Sequence, residues 1–276
     1  MNLKHSGPGY SFDMNSMTPP VVLCFSGHDP TGGAGIHADI EAIAAAGCHA
    51  TSAITCNTIQ NTHDLRQLLP LAPELFQQQA MAVLEDLPVA VIKIGLIGDA
   101  EICRAIAALL QEHPQIPAIL DPVLATGGGS ELASAELLES IRMELLPYIH
   151  LATPNSIEAR RISGRDELRE SAQEILSLGC RNLLITGTHE ESDLVINTLY
   201  QHSVDSGHSW EWPRLPDSYH GSGCTLAAAI AARIALGLPL PEAVAQAQEY
   251  AWQSLHHANS FGSGQALPNR LFEHKK

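Results

Sequence analysis

One stretch of the sequence combines residue types and spacing that suit the transfer of an anionic group, namely His220-Gly221-Ser222-Gly223-Cys224-Thr225. Its two glycines flank a serine and let the backbone turn tightly against a ligand. An apolar run of helical length follows at residues 226–236, so we expect a helix N-terminus here, where N–H groups and the helix dipole favour an anion. Cys224 would lie in the first turn, where a thiol is acidified. The stretch indicates phosphoryl transfer, with a glycine-rich turn before a core helix and a buried cysteine as the alternative.

A second glycine-rich segment follows the first predicted strand, which covers the apolar residues 21–26. It contains Gly27, Gly32, Gly33, Ala34 and Gly35. Four glycines within nine residues make a backbone loop that can lie against a ligand. A helix is then predicted over residues 36–46, ending at Gly47.

Other polar side chains lie at or near the ends of predicted strands. Gln60 belongs to a polar cluster after the strand at residues 49–57, and Lys93 interrupts the apolar run at residues 89–94. The further candidates are Asp121, Asn155, Glu158 and Thr186. Ligands of open α/β sheets bind beyond the carboxyl ends of the strands, so we expect these side chains to converge on one edge.

The order of the predicted elements indicates an α/β fold. Strands alternate with helices of about 10–15 residues, which is typical of a mostly parallel sheet with helices on both faces. Between residues 193 and 212 the hydrophobic period changes, which predicts an antiparallel excursion at the edge of the sheet. Three glycines at residues 127–129 follow the strand that ends at Asp121. We predict one three-layer α/β/α domain over residues 20–276 and a flexible N-terminal extension at residues 1–19.

Composition limits the classes of partner. The net charge is −15, from 15 Lys and Arg against 30 Asp and Glu, and no basic cluster occurs, which disfavours binding to nucleic acid or to a membrane. An anionic substrate would have to be met by backbone amides and metal ions. Six scattered cysteines without a CxxC pair predict reduced thiols and a cytoplasmic location. No apolar run reaches the length of a transmembrane helix.

With these segments identified, the sequence resembles the hydroxymethylpyrimidine/phosphomethylpyrimidine kinases, which belong to the ribokinase-like superfamily. The resemblance extends from about residue 21 to residue 272. Its most specific motifs are SGHDPTGGAGIHAD at residues 26–39 and the stretch at residues 220–225. Shorter matches, in the family's order and spacing, lie at residues 60–62, 93–96, 120–123 and 153–155.

The resemblance implies a ribokinase-like fold, ATP and Mg²⁺ as cofactors, and a small-molecule pyrimidine as substrate. It implies two successive phosphorylations in thiamine biosynthesis, which convert 4-amino-5-hydroxymethyl-2-methylpyrimidine to its monophosphate and then to the diphosphate. A homodimer is also expected. Most ribokinase-like kinases have an aspartate base where this chain has Cys224, whereas the pyrimidine kinases have cysteine, which favours the pyrimidine branch.

The resemblance also assigns roles around the transferred group. Residues 221–224 would hold the phosphoryl group through backbone N–H donors, and Cys224 would take the proton of the attacking hydroxymethyl group. Asn155 and Glu158 would organise Mg²⁺ and phosphate through water, with Asp121 as a second carboxylate near the metal. Further cofactor-side candidates are Thr186 and Lys93.

On the substrate side, Gln60 would face the pyrimidine, because a side-chain amide offers a donor and an acceptor together. Gly27, Asp39 and the loop at residues 32–35 would complete the pocket.

Each assignment has a structural alternative. Cys224 would otherwise be a small packing residue, and Gln60 a solvated loop residue. Lys93 would extend to solvent, and Asp121 would be a turn residue before a proline. Asn155 would cap a helix N-terminus.

The chain departs from the family after the predicted strand at residues 182–185. A KGGH-like sequence is expected there, but the chain has Thr186-Gly187-Thr188-His189 and then negative charge at residues 190–192. The missing lysine removes a positive charge expected near the nucleotide phosphates. Two other functions stay open, and only the second of them rests on the missing lysine. One is a pyridoxal or pyridoxine kinase, whose substrates present a similar hydroxymethyl heteroaromatic face. The other is a degenerate paralogue that binds the pyrimidine with weak turnover.

Overall fold

Helices cover both faces of a single β-sheet in the computed structural model, which describes residues 18–125, 131–201 and 204–274. The strands of this part of the chain are β1 (Val21–His28), β2 (His49–Gln60), β3 (Leu65–Pro70), β4 (Val89–Ile94), β5 (Ala118–Leu120), β6 (Leu151–Ala152), β7 (Asn182–Ile185), β8 (Leu194–Gln201) and β9 (Val204–Pro213). They form one sheet in the order β3-β2-β1-β4-β5-β6-β7-β8-β9. The three-layer α/β/α prediction is confirmed.

The α-helices of the described residues are α1 (Gly35–Ala45), α2 (Pro73–Asp86), α3 (Ala100–Glu112), α4 (Ala135–Ser140), α5 (Ser156–Ser163), α6 (Leu168–Ser177), α7 (Ser222–Ala235) and α8 (Leu240–His256). None of these helices has the length and hydropathy needed to cross a membrane. The glycines at residues 127–129 and most of the predicted N-terminal extension lie outside the described residues.

The sheet is parallel in its centre and antiparallel at both edges. β8 and β9 form the predicted antiparallel excursion at one edge, next to β7. At the other edge β3 pairs antiparallel with β2, out to Gln60 opposite Leu65. The predicted end of β2 at residue 57 is therefore wrong. Its polar last residues are held in the sheet by hydrogen bonds to β3, a pairing that local composition does not reveal.

Alternate residues of β1 face opposite layers of the fold. Leu23 and Phe25 join the core beneath α2 and α3, where the rings of Phe25 and Phe76 meet edge to face with centroids 5.0 Å apart. Val22 and Cys24 join the core beneath α1, α7 and α8. Because both faces of β1 are covered, its first five residues are all apolar, as in a buried parallel strand.

Helix α7 lies against the middle of the sheet, where it packs on β1, β4 and β5. Its buried residues are mostly small, namely the alanines at 227–229, 231, 232 and 235, which pack against the sheet and against α1 and α8. Because these side chains are small, the axis of α7 lies close to the strands. This close packing fixes the distance between the N-terminus of α7 and the sheet. The first turn of α7 is thereby fixed relative to the ends of these strands.

The strand order reverses at β1, because β1 pairs in parallel with β2 on one side and with β4 on the other. Chain connections leave in opposite directions from such a point and open a crevice at the carboxyl ends of the strands. The glycine-rich segment after β1 lies at this crevice. This crevice is therefore the expected place of a ligand site.

One buried ion pair joins α1 to the centre of the sheet. Nζ of Lys93 in β4 lies 2.7 Å from Oδ1 of Asp39 in α1, and neither side chain is exposed. The hydroxyl of Ser26 donates to Oδ2 of Asp39 at 2.5 Å. Burial alone would lower the pKa of Lys93, but the charge of Asp39 raises it above its ordinary value, so Lys93 stays protonated. Removing either charge would leave the other one unpaired in the interior.

We expect Lys93→Met to destabilise the fold by about 3–5 kcal/mol, because it leaves the Asp39 carboxylate buried without its partner. The double variant Lys93→Met/Asp39→Asn should recover more than half of that loss, since the amide oxygen still accepts from Ser26. Urea unfolding at pH 7 measures both free energies.

The matched control is Arg165→Met, which removes a pair with Glu174 whose side chains are 54% and 26% exposed. A surface pair of this kind contributes less than about 1 kcal/mol. If Lys93→Met cost no more than this control, Lys93 and Asp39 would not stabilise the interior as an ion pair.

Candidate active site

Two loops, each with a glycine at the point of contact, meet at the carboxyl edge of the sheet. The β1 loop (residues 29–34) leads from β1 into α1, and the α7 loop (residues 216–221) leads into α7. A Cβ atom added to Gly221 would collide with the carbonyl oxygen of Gly33, and the φ of +86° at Gly221 also favours glycine. A Cβ atom added to Gly33 would lie 2.5 Å from His220. The two loops are thus in direct backbone contact.

Asp29 holds the β1 loop in shape and ties it to the α7 loop. Its carboxylate accepts hydrogen bonds from the N–H groups of Thr31 and Ala34, both at 2.8 Å. Nε2 of His220 lies 2.8 Å from Oδ2 of Asp29. Burial opposes ionisation, but the hydrogen bonds from His220 and Thr31 hold the pKa of Asp29 well below its usual range. Asp29 is therefore a charged structural anchor.

The N-terminus of α7 presents backbone donors at the junction of the two loops. No side chain of the described residues caps this helix. The first backbone bond of the helix is from the N–H of Thr225 to the carbonyl of Gly221 at 3.0 Å. The N–H groups of Ser222, Gly223 and Cys224 precede it, so they have no partner within the helix. Together with the helix dipole they form an anion-binding position.

Cys224 is buried in this first turn, with the N–H of Gly35 donating to its sulfur. Burial and the charge of Asp121 raise the pKa of the Cys224 thiol to about 12, although Lys93 opposes the shift. The expectation of an acidified thiol is therefore wrong for this structure, because desolvation and a neighbouring carboxylate outweigh the helix dipole. At neutral pH the thiol is protonated and hydrogen-bonds to Asp121.

Asp121 follows β5 directly and is 5% exposed. Burial raises its pKa above the ordinary value, while Lys93 and the Cys224 thiol lower it. Its Oδ2 atom has no hydrogen-bond partner among the described residues, which leaves one buried carboxylate oxygen for a ligand. Its Oδ1 atom lies 3.5 Å from where a Cβ of Gly223 would be, so the carboxylate faces the first turn of α7.

Asn155 and Glu158 form a capping box at the start of α5. The Asn155 side chain accepts from the N–H of Glu158 at 3.0 Å, and the Glu158 side chain accepts from the N–H of Asn155 at 2.9 Å. A second oxygen of Glu158 accepts from the N–H of Leu124 at 3.3 Å. The structural alternative for Asn155, a helix N-cap, is confirmed. Burial and the charge of Asp121 raise the pKa of Glu158 to about 8.

The carboxylates here suit Mg²⁺. Across the described ranges, no three His, Cys, Asp or Glu side chains are placed to hold a metal ion together. Mg²⁺ keeps several waters and is usually bound through one or two carboxylates plus substrate phosphates. Asp121 offers a free buried oxygen, and Glu158 lies near enough for the charge of Asp121 to add to the effect of burial on its pKa, so the two carboxyl groups fit that requirement.

The remaining predicted residues divide between the crevice and the interior. Gln60 is half-buried at the end of β2, beside the crevice edge, and its contact with the pyrimidine stays a prediction. Gly27 is buried in β1, where a Cβ would lie 2.8 Å from Sγ of Cys56. Asp39 is fully buried against Lys93, so its predicted substrate role would have to act through that pair. The alternative that Lys93 extends to solvent is wrong.

Thr186 contributes its backbone, which pairs with the segment that starts α5. Its N–H donates to the carbonyl of Pro154, and its carbonyl accepts from the N–H of Ser156, both at 3.0 Å. This pairing places Asn155 and Thr186 side by side at the ends of β6 and β7. The predicted role of Thr186 toward the nucleotide stays a prediction.

The loop at residues 187–192, which departs from the family pattern, is held by two arginines. Arg214 donates to the carbonyls of Thr188, Glu190 and Ser192 at 2.6, 2.9 and 3.0 Å. Arg160 forms a two-point pair with the Glu190 carboxylate, at 2.7 and 3.0 Å. The negative charge of this loop is thus partly neutralised within the protein.

Sequence reasoning missed three residues that shape the site: Asp29, His220 and Arg270. A signal existed for Asp29, because an aspartate two residues before a threonine in a glycine-rich turn commonly accepts from the backbone ahead of it. His220 is adjacent to the predicted anion site but carried no assignment. Arg270 belongs to no motif, and only the fold brings it to the two loops.

Residues 29–269 match the family model described as phosphomethylpyrimidine kinase. A hydroxymethylpyrimidine/phosphomethylpyrimidine kinase of Streptomyces coelicolor is 35% identical over 257 residues, which cover 90% of this chain and 93% of that protein. A bifunctional thiamine biosynthesis protein of Geobacter sulfurreducens is 35% identical over 256 residues. That match covers 91% of this chain, but the chain spans only 52% of the bifunctional protein.

Solved structures share the fold. A Bacillus subtilis pyridoxal kinase in complex with ADP superposes with a TM-score of 0.84 at 26% identity, covering 92% of this chain and 98% of that one. A phosphomethylpyrimidine kinase of Clostridium difficile superposes with a TM-score of 0.73 at 30% identity, covering 85% and 97%. These matches confirm the resemblance carried by the two glycine-rich motifs, and the chain belongs to the phosphomethylpyrimidine kinase family.

Proposed function

We propose that this chain transfers a phosphoryl group from ATP to the hydroxymethyl group of 4-amino-5-hydroxymethyl-2-methylpyrimidine, and a second one to the resulting monophosphate, in thiamine biosynthesis. Membership of the phosphomethylpyrimidine kinase family supports the reaction class and ATP as the donor. The observation that carries the proposal is geometric. Unpaired N–H groups at the start of α7 lie beside a buried thiol and a buried carboxylate, at the crevice where ligands of such sheets bind.

The start of α7 stabilises the transferring phosphoryl group. Phosphoryl transfer depends mainly on positioning and on electrostatic stabilisation of charge spread over the phosphoryl oxygens. The N–H groups of Ser222, Gly223 and Cys224 are fixed by the packing of α7 on the sheet, so they need no reorganisation when charge develops. The backbone contact at Gly33 and Gly221 keeps side chains out of this position.

Mg²⁺ would supply charge neutralisation between the phosphates. Asp121 and Glu158 are the residues that would hold it, through its coordinated water molecules. Asp121 has two carboxylate oxygens, so one could accept from a water molecule of the Mg²⁺ ion while the other accepts the hydrogen bond of the Cys224 thiol.

Cys224 acts on the proton of the acceptor alcohol. Because the thiol starts protonated, the sulfur can take the alcohol proton only if its own proton passes to the neighbouring Asp121 carboxylate. Asp121 is the carboxylate in hydrogen-bond contact with the thiol, so it is the group placed to receive that proton. The second phosphorylation differs, because a phosphate monoester is largely ionised near pH 7, with a second pKa of about 6, and carries no proton that must be removed.

A pyridoxal-type substrate is the second candidate. The ADP complex of Bacillus subtilis pyridoxal kinase gives the higher TM-score of the two solved structures compared above. The pyrimidine substrate is favoured because a relative named as a hydroxymethylpyrimidine/phosphomethylpyrimidine kinase is 35% identical over 90% of this chain.

Consumption of ATP by the purified protein with Mg²⁺ and each alcohol separates these functions. Turnover with pyridoxal alone would replace the proposed substrate, and binding of the pyrimidine without turnover would favour the degenerate paralogue.

A homodimer in the cytoplasm is part of the same proposal. Ile59 and Leu69 lie on one face of the β2–β3 edge and are 48% and 41% exposed, which supports an apolar contact between copies. All six cysteines lie in the described residues and are unpaired, which supports a reducing compartment.

Replacing Cys224 should separate the two phosphorylations. Cys224→Ala should lower kcat for the hydroxymethylpyrimidine by at least ~10²-fold, because it removes the group that takes the alcohol proton. With the monophosphate as acceptor kcat should stay within about 3-fold, since that acceptor needs no base. Initial rates with each acceptor supplied alone measure both values.

Cys103→Ala is the control for this experiment, because it removes another buried thiol, in α3, away from the crevice. It should leave both rates unchanged. An equal loss of both activities in Cys224→Ala would mean that Cys224 shapes the loop and does not handle the proton.

Replacing Gln60 should affect the pyrimidine and spare the nucleotide. Gln60→Ala leaves the polar edge of the bound pyrimidine unpaired, which should cost about 1–3 kcal/mol, or roughly 5- to 150-fold in kcat/KM for the pyrimidine. The KM for ATP should not move. Gln67→Ala, an exposed glutamine on the adjacent β3, is the control. Unchanged kcat/KM in Gln60→Ala would exclude Gln60 from the substrate contacts.

A further inference from the structure

Arg270 is a buried arginine from the C-terminal segment that contacts the β1 loop and the first turn of α7. It is 2% exposed. Its guanidinium donates to the carbonyl of Gly33, to the carbonyl of Gly32 at 3.4 Å, and to the hydroxyl of Thr225 at 2.8 Å. Its Nη1 atom also lies 3.1 Å from a carboxylate oxygen of Glu41 in α1. One side chain therefore spans the β1 loop, the first turn of α7 and the helix α1.

The acceptors of Arg270 are the groups that set the geometry of the anion-binding position. The Gly33 carbonyl lies against Gly221, and Nη2 of Arg270 is 3.0 Å from where a Cβ of Gly221 would be. Thr225 in turn donates its hydroxyl proton to the carbonyl of Gly221 at 2.8 Å. Arg270 thus fixes Gly221 from two sides, through Gly33 and through Thr225.

The segment that carries Arg270 is itself anchored at several points. We call residues 259–270 the C-terminal strap. On the α8 side, the hydroxyl of Tyr250 donates to the carbonyl of Arg270 at 2.7 Å, and the N–H of Asn269 donates to the carbonyl of Ser254 at 2.9 Å. These bonds hold the backbone of Arg270 in place independently of its side chain.

At its other end the strap joins the two sides of the crevice. The N–H of Gln265 donates to the carbonyl of Thr62, just beyond Gln60. The carbonyl of Ala266 accepts from the N–H of His220 at 3.0 Å. The strap thus connects the β2–β3 turn, on the predicted pyrimidine side, to the α7 loop, on the phosphoryl side.

We propose that Arg270 is a positioning residue for phosphoryl transfer, which sets the spacing between the β1 loop and the first turn of α7. This inference takes the proposed function as its basis and adds a residue that touches neither substrate nor nucleotide. The guanidinium is suited to this role because its planar fork reaches several carbonyl and hydroxyl acceptors at once, whereas an ammonium group cannot hold the same spread in fixed geometry. The positive charge of Arg270 also lies beside the first turn of α7, at the helix N-terminus where the anion would bind.

The test uses Arg270→Lys and Arg270→Ala in the full chain, with Arg233→Lys as the matched control. Arg233 lies in α7, donates to a carbonyl of its own helix, and stacks over Tyr250, and none of its contacts reaches the β1 loop or the α7 loop. The first readout needs no activity, namely amide hydrogen exchange of residues 29–35 and 220–225. Both Arg270 variants should exchange at least ~10-fold faster in these two segments, while Arg233→Lys should not.

The second readout is kinetic. Misplacement of the two loops should lower kcat at least ~10-fold in Arg270→Lys, while the dissociation constant for the pyrimidine changes less than about 3-fold. Guanidinium chloride at millimolar concentration should restore part of the kcat of Arg270→Ala, and urea should not. Rescue by the missing group is an effect that a loss of general stability would not produce.

The proposal is overturned by unchanged exchange in both segments, or by a kcat loss that Arg233→Lys shares to the same extent. Lack of rescue by guanidinium in Arg270→Ala, with its kcat lowered, would also overturn it. A wild-type chain that phosphorylates no pyrimidine would instead defeat the proposed function, and the exchange readout would still decide whether Arg270 holds the two loops.

Discussion

The Gly33 carbonyl occupies the space that any side chain at Gly221 would need, and the arrangement of the whole site depends on this backbone contact. It brings the loop after β1 against the loop before α7, although these segments are nearly 190 residues apart in the sequence. Two glycines permit the approach, but they cannot enforce it, because glycine adds backbone freedom. The contact therefore needs other groups to hold it.

Those groups are charged side chains buried around the two loops. Asp29 joins the loops through His220 on the crevice side, and Arg270 joins them through Gly33 and Thr225 from behind. Both make several hydrogen bonds to backbone and side-chain groups, which is the condition under which a buried charge is tolerated in a fold. One anchor is negative and the other is positive, so the junction gains rigidity without a large net charge.

Much of this could be predicted from the sequence, because the signals are local. The alternation of strands and helices indicated the layered fold, and glycines before an apolar run indicated the N-terminus of α7. Two features could not be predicted. The polar last residues of β2 stay in the sheet because they form a hairpin with β3 across the turn at residues 61–64. The raised pKa of Cys224 depends, besides burial, on Asp121 and Lys93, which local composition does not place next to it. Arg270 had no neighbouring motif at all, since its partners come from three separate elements.

The environment of Cys224 gives a physical reason for a thiol at this position. Burial raises the pKa of the sulfur, and so do the charges of Asp121 and Asp39, while Lys93 and the hydrogen bond from the N–H of Gly35 oppose them. A carboxylate here would place a further negative charge in a buried cluster that already contains two, at the desolvation cost that an unpaired buried ion carries. A protonated thiol packs as a small apolar group and adds no charge. The neutral sulfur therefore adds no charge to a buried cluster in which a single lysine faces two carboxylates.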